Sequence, residues 1–117
     1  EIEIIFLGGK IEKKAMVAIG LDVQDKFSNI HADLCFLGTG SIGHLEGITE
    51  GSYDVSLIKK AMVASSDRVI SLATSNKLGL RQSHNVCPTS KINTLITELN
   101  PQNSRLLPFS QCAISLL

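Results

Sequence analysis

The chain is poor in aromatic residues and carries no surplus of either charge. Its 117 residues include no Trp, one Tyr and four Phe. So few flat side chains exclude a base-stacking platform of the kind that binds single-stranded nucleic acid. Eleven Lys and Arg balance eleven Asp and Glu, for a formal net charge of 0. A basic face able to offset phosphate charge is therefore excluded, and so is a polybasic membrane-binding surface. No apolar run approaches the ~18 residues of a transmembrane helix. The opening Glu1-Ile2-Glu3-Ile4 has neither the basic region nor the small-residue cleavage site of a signal peptide. No membrane partner is expected. Cysteine is scarce: Cys35, Cys87 and Cys112 are odd in number and too far apart for a metal or redox clip, so buried reduced thiols are expected. His31, His44 and His84 have no helical i, i+4 partner and no nearby Cys, so no metal site is expected. Nothing in the sequence calls for a cofactor.

What is present is enough for a core. The hydrophobic fraction is 44%, ordinary for a globular chain of one domain. The chain starts without Met inside a strand-like run, so it is expected to be a piece of a longer polypeptide. Ile2 to Leu7 is apolar and β-branched and ends at Gly8-Gly9, which predicts a strand. Lys10 to Gly20 gives no clear pattern. Asp22 to Ile30 puts Val23, Phe27 and Ile30 on one helical face. Ala32 to Leu37 predicts a strand that stops at Gly38-Thr39-Gly40-Ser41-Ile42-Gly43. A polar loop is expected as far as Ser52, then a helix over 53–66 with Asp54 in its first turn. Further strands are expected at 68–73, 93–97 and 112–117, with a helix opening at Asn100-Pro101. Apolar strands alternating with helices define an α/β fold: a parallel sheet flanked by helices on both faces.

In such a sheet, ligands bind at the carboxyl ends of the strands. Three loops qualify: 8–10, 38–49 and 74–79. Gly38-x-Gly40-x-x-Gly43 matches the dinucleotide fingerprint in letters but not in context. No helix follows at once, and no carboxylate ends the next strand at Thr74-Ser75. Two readings of the loop stay open. It is a tight turn, or it is a place where backbone N–H groups and the Thr39 and Ser41 hydroxyls meet an anion. Of Lys59 and Lys60 in the middle of the helix, one is expected to be solvated. Lys77 follows a strand and could neutralise a phosphate or carboxylate. His44 with Glu46 is the one acid/base candidate. There is no Gly-x-Ser-x-Gly elbow.

The order of these pieces carries a resemblance. Phe6-Leu7-Gly8-Gly9-Lys10 comes first, then Ala32 to Ile42, Gly47-Ile48-Thr49 and Lys59-Lys60-Ala61-Met62-Val63. Leu72-Ala73-Thr74-Ser75-Asn76-Lys77-Leu78-Gly79 and Thr94-Leu95-Ile96-Thr97 complete the series. It resembles the sensor domain of the DeoR/GlpR family of bacterial sugar-responsive transcriptional regulators, over nearly the whole chain. The resemblance implies an isomerase-like sensor fold, truncated at its N-terminus, related to ribose-5-phosphate isomerase and glucosamine-6-phosphate deaminase. Residues 1–117 would be a partial effector-binding domain. The DNA-binding helix-turn-helix would be absent from this chain, so operator DNA would be met only through that missing N-terminal module. Further implications are a sugar-phosphate effector, homo-oligomerisation, a repressor role and a cytoplasmic location. The implied ligand-binding residues are Gly38, Thr39, Gly40, Ser41, Lys59, Thr74 and Lys77. Three positions depart from the family and its enzyme relatives: Val55 and Thr74 stand where the family commonly has Glu and Asp, and Ile42 where the deaminases have Asp. Losing three carboxylates argues for binding without turnover, so no enzyme is expected and no catalytic residue is assigned. The alternative is a sugar-phosphate isomerase or deaminase-like enzyme.

Overall fold

The computed structural model describes all 117 residues. Three sheets and three α-helices make up the fold. Strands β3 (Ala32–Gly38), β6 (Ser66–Leu72), β8 (Thr94–Ile96) and β9 (Ser115–Leu116) form a parallel sheet in the order β3-β6-β8-β9. The longest pairing, β3 with β6, runs in register from Ala32↔Ser66 to Gly38↔Leu72. These are the apolar, β-branched runs that the sequence marks as strands, and the chain belongs to the α/β class.

A second sheet was not visible in the sequence. Strands β4 (Ser41–Gly43), β5 (Gly47–Glu50) and β7 (His84–Cys87) are antiparallel, in the order β4-β5-β7. The expected polar loop to Ser52 is therefore a hairpin. Gly47 makes it possible. Its φ is +80°, and a Cβ there would lie 2.1 Å from the Cys87 carbonyl oxygen. A third pair, β1 (Lys10–Glu12) and β2 (Val17–Ile19), is an antiparallel hairpin in the stretch without a clear pattern.

Helix α2 (Tyr53–Ala64) is capped by Ser52, whose hydroxyl accepts from the Val55 N–H at 3.3 Å. It ends at Ala64, two residues before the expected end at 66, because Ser66 already belongs to β6. Helix α1 is Leu21–Phe27, and Val23 is its buried residue. The short α3 is Leu107–Ser110. Helical structure does not open at Asn100-Pro101. Asn100 Oδ1 instead accepts from the Gln102 N–H in a local turn, and Asn103 caps the turn at Ser104–Leu106 that leads into α3.

The main core lies on one face of the parallel sheet. Cys35, Leu37, Val69 and Leu95 point into it and meet Ile42, Ile48 and Val86 of the second sheet, with Leu106 and Phe109. The expectation of cover on both faces does not hold. Leu34, Phe36 and Leu72, which alternate with the core residues, are exposed, Phe36 by 58%. Residues 2–7 form no strand, since the run has no neighbouring strand to complete a ladder. Ile2, Ile4, Ile5 and Phe6 are 75–90% exposed. Only Leu7 packs, beside the small cluster of Ile19, Val23, Val55 and Ile58. No helix is long and apolar enough to cross a membrane.

Candidate functional site

The carboxyl end of β3 opens into a polar cleft of about 560 Å³. Gly38, Thr39 and Gly40 form one wall, at the end of β3. Glu50, Gly51 and Ser52 come from the end of β5 and the start of α2, and Val55 and Lys59 from the buried side of α2. Lys77 comes from the turn after β6, Gln82 from the approach to β7, and Glu12, Lys14 and Ala15 from the β1–β2 hairpin. This is where a parallel sheet places a ligand. A second groove of about 450 Å³ lies beside the amino end of β6, between Lys60, Asp67, Cys87 and Lys91. It lies at the opposite end of the strand from the loops that carry ligand chemistry in this fold class.

At the base of the cleft Lys59 and Glu50 form an ion pair, Nζ to Oε1 at 2.5 Å. Both side chains are close to nine-tenths buried. Lys59 Nζ also donates to the Gly38 carbonyl at 2.6 Å, and Glu50 Oε1 also accepts from the Gly40 N–H at 3.0 Å. Gly40 is required by this contact, since a Cβ would stand 2.3 Å from Glu50 Oε2. Breaking such a pair from one side strands the other charge in a dry place, at a cost of about 3–5 kcal/mol. Its neighbour Lys60 is exposed.

The remaining donors of the Gly-rich loop already have partners. The Thr39 N–H donates to the Leu72 carbonyl at 3.1 Å, and Thr39 Oγ1 lies 2.6 Å from Ser71 Oγ. Ser41 is fully buried in β4, with Oγ 2.6 Å from Thr49 Oγ1 and 3.2 Å from Gln82 Oε1. Thus Gly38, Thr39, Gly40, Lys59 and Lys77 meet in one cleft, while Ser41 lies behind its wall. Thr74 is exposed and outside it, with its hydroxyl on Asn76 Oδ1. His44 and Glu46 sit in the β4–β5 turn, also outside.

The turn that carries Lys77 is held at Ser75. Its N–H donates to both oxygens of Glu98, at 2.7 and 3.1 Å, and its carbonyl accepts from Arg105 Nη2 at 2.9 Å. The Ser75 N–H, with help from the Ser75 and Thr97 hydroxyls, pulls the Glu98 carboxyl down to about 2. Burial pushes the Cys87 thiol up to about 11 and raises Cys35 as well, so both are neutral thiols of the core. The three cysteines are free.

Sequence reasoning missed Glu50, and with it a carboxylate inside the cleft. It looked for acids at positions 42, 55 and 74. The usable signal was the hairpin: Ser41-Ile42-Gly43 and Gly47-Ile48-Thr49-Glu50, two β-prone runs around a short turn flanked by glycines.

The DeoR C terminal sensor domain matches residues 1–99, and the chain belongs to that family. The chain is 33% identical over 103 residues to the HTH-type transcriptional repressor GlcR of Bacillus subtilis, covering 88% of this chain and 40% of GlcR. It is 25% identical over 97 residues to the HTH-type transcriptional regulator GolR of Listeria innocua, covering 83% of this chain and 38% of GolR. The chain thus spans about two-fifths of the length of the curated relatives it matches.

Proposed function

We propose that the chain is the effector-binding and oligomerisation part of a bacterial transcriptional regulator of sugar metabolism, and that its effector is a phosphorylated sugar. The observation that carries this reading is the polar cleft at the carboxyl end of β3, lined by Lys14, Lys59 and Lys77 against Glu12 and Glu50. Its size suits a small polar ligand, and its charged and hydroxylated lining suits a sugar better than an apolar compound. Lys77 has the full charge and the reach to hold a phosphate at the rim. The name of the Bacillus subtilis relative supports a repressor role. Operator DNA would be bound by a helix-turn-helix outside these residues, in the cytoplasm. Control is a population shift: the ligand binds one sensor conformation better, and that difference biases the DNA-binding part.

One observation favours a second reading, an isomerase- or deaminase-like activity. Glu50 supplies a cleft carboxylate despite Val55, Thr74 and Ile42, and a carboxylate is the usual base for proton transfer beside a carbonyl. Calorimetry of the intact protein against a panel of sugar phosphates, with product analysis of each mixture, separates the two. Binding with unchanged sugar phosphate is the expected result. Turnover of any panel member gives the second reading.

A further inference from the structure

We propose that Glu50 is the specificity-determining residue of the cleft: it reads a sugar hydroxyl at the base and turns the phosphate away toward Lys77. The inference rests on the sugar-phosphate reading and deepens it. It starts from how the carboxylate is used. Both of its hydrogen bonds, from Lys59 Nζ and from the Gly40 N–H, fall on Oε1. Oε2 receives none. Every fully buried side-chain oxygen and nitrogen in the chain has a partner, so Oε2 opens to the cleft that Glu50 lines. An ammonium has three N–H donors. Lys59 directs two of them at Gly38 and Glu50, which leaves one. A free carboxylate oxygen beside a spare ammonium N–H is an acceptor and a donor fixed side by side. A hydroxyl satisfies both, donating to Oε2 and accepting from Nζ.

A dianionic phosphate can accept from Nζ but has no proton to donate to Oε2. The Gly40 N–H that would serve an anion is taken by Glu50, the Thr39 N–H by Leu72, and the Ser41 hydroxyl is sealed in its sheet. What remains at that end is an ion pair with no net charge to attract a dianion, and its open oxygen, Oε2, is the negative end. The charge of Lys59 is already spent on Glu50. Lys77 has no ionic partner in the protein and stands on a turn braced by Glu98 and Arg105. The ligand is therefore polarised, hydroxyl at Glu50 and phosphate at Lys77. Specificity of this kind comes from buried polar groups that are left unpaired by the wrong ligand.

The test is calorimetry of the intact protein with hexose 6-phosphates, pentose 5-phosphates, their 2-deoxy forms and inorganic phosphate. Wild type is compared with Glu50→Gln and with the double change Glu50→Gln, Lys59→Met, which leaves no lone buried charge if the single variant unfolds. Both variants are expected to bind the best sugar phosphate at least tenfold more weakly, and to bind inorganic phosphate as well as wild type or better. The proposal is overturned if a folded variant binds the sugar phosphate within twofold of wild type, or loses sugar phosphate and inorganic phosphate alike. A wild-type protein that binds no panel member overturns the sugar-phosphate reading itself, and this inference falls with it.

Discussion

The two faces of the parallel sheet are built from the same residue types and end in opposite environments. On β3, Cys35 and Leu37 enter a closed core, while Leu34 and Phe36, one residue away, face outward and stay exposed. Period-two alternation assigns side chains to faces. It does not say which face is covered. Both faces of β3 are apolar, which is why the sequence predicts cover on both sides, and an apolar open face is a candidate for contact with something else.

The contrast between the two faces is sharpest at Leu37 and Phe36. Leu37 is fully buried, so Leu37→Ala should cost about 2–5 kcal/mol of unfolding free energy, read by urea denaturation. On the open face, Phe36→Ser should change stability by no more than ~0.5 kcal/mol in the dissociated chain. If the open face carries the proposed self-association, Phe36→Ser should instead shift sedimentation equilibrium toward smaller species. A large loss of stability for Phe36→Ser at dilute concentration would mean that the two faces are not so different.

A smaller effect concerns the brace under Lys77. The folded-state pKa of Glu98 is lowered from 4.5 to about 2. A depressed carboxylate adds stability that is fully present above the unfolded value and lost as pH falls through the folded one. The contribution should therefore fade between about pH 4.5 and pH 2. Glu98→Gln should flatten that limb of the stability curve and speed amide exchange at Ser75. An unchanged acid limb in the variant would show that the brace adds nothing.

How much of this was legible in the sequence differs by element. β3, α2 and β6 could be read because each is a long run of one character, with β3 ended by glycine and α2 capped by serine. Gly38 and Lys77 could be placed at one end of the sheet because strand direction fixes which loops meet, whereas Lys59, in the middle of a helix, came only with the family resemblance. The β1–β2 hairpin and the β4-β5-β7 sheet could not, since their strands are three or four residues long and their partners lie far off in sequence. β7 pairs with β5 across the whole of α2 and β6. Glu50 was lost with that sheet: only the pairing of β5 shows that it lies beneath Gly40 and against Lys59. The run Ile2 to Leu7 shows the reverse error. Its residues have strand character, but a strand needs a partner as well as a propensity.

The proposed cleft is polarised and would bind a sugar phosphate through Lys77 at the phosphate end. It is tested most directly by calorimetry of the intact protein with its best sugar phosphate, wild type against Lys77→Ala. Loss of one charged contact worth ~1.4 kcal/mol or more predicts affinity at least tenfold weaker, with affinity for the unphosphorylated sugar unchanged. Equal affinity of both proteins for the sugar phosphate would contradict the account.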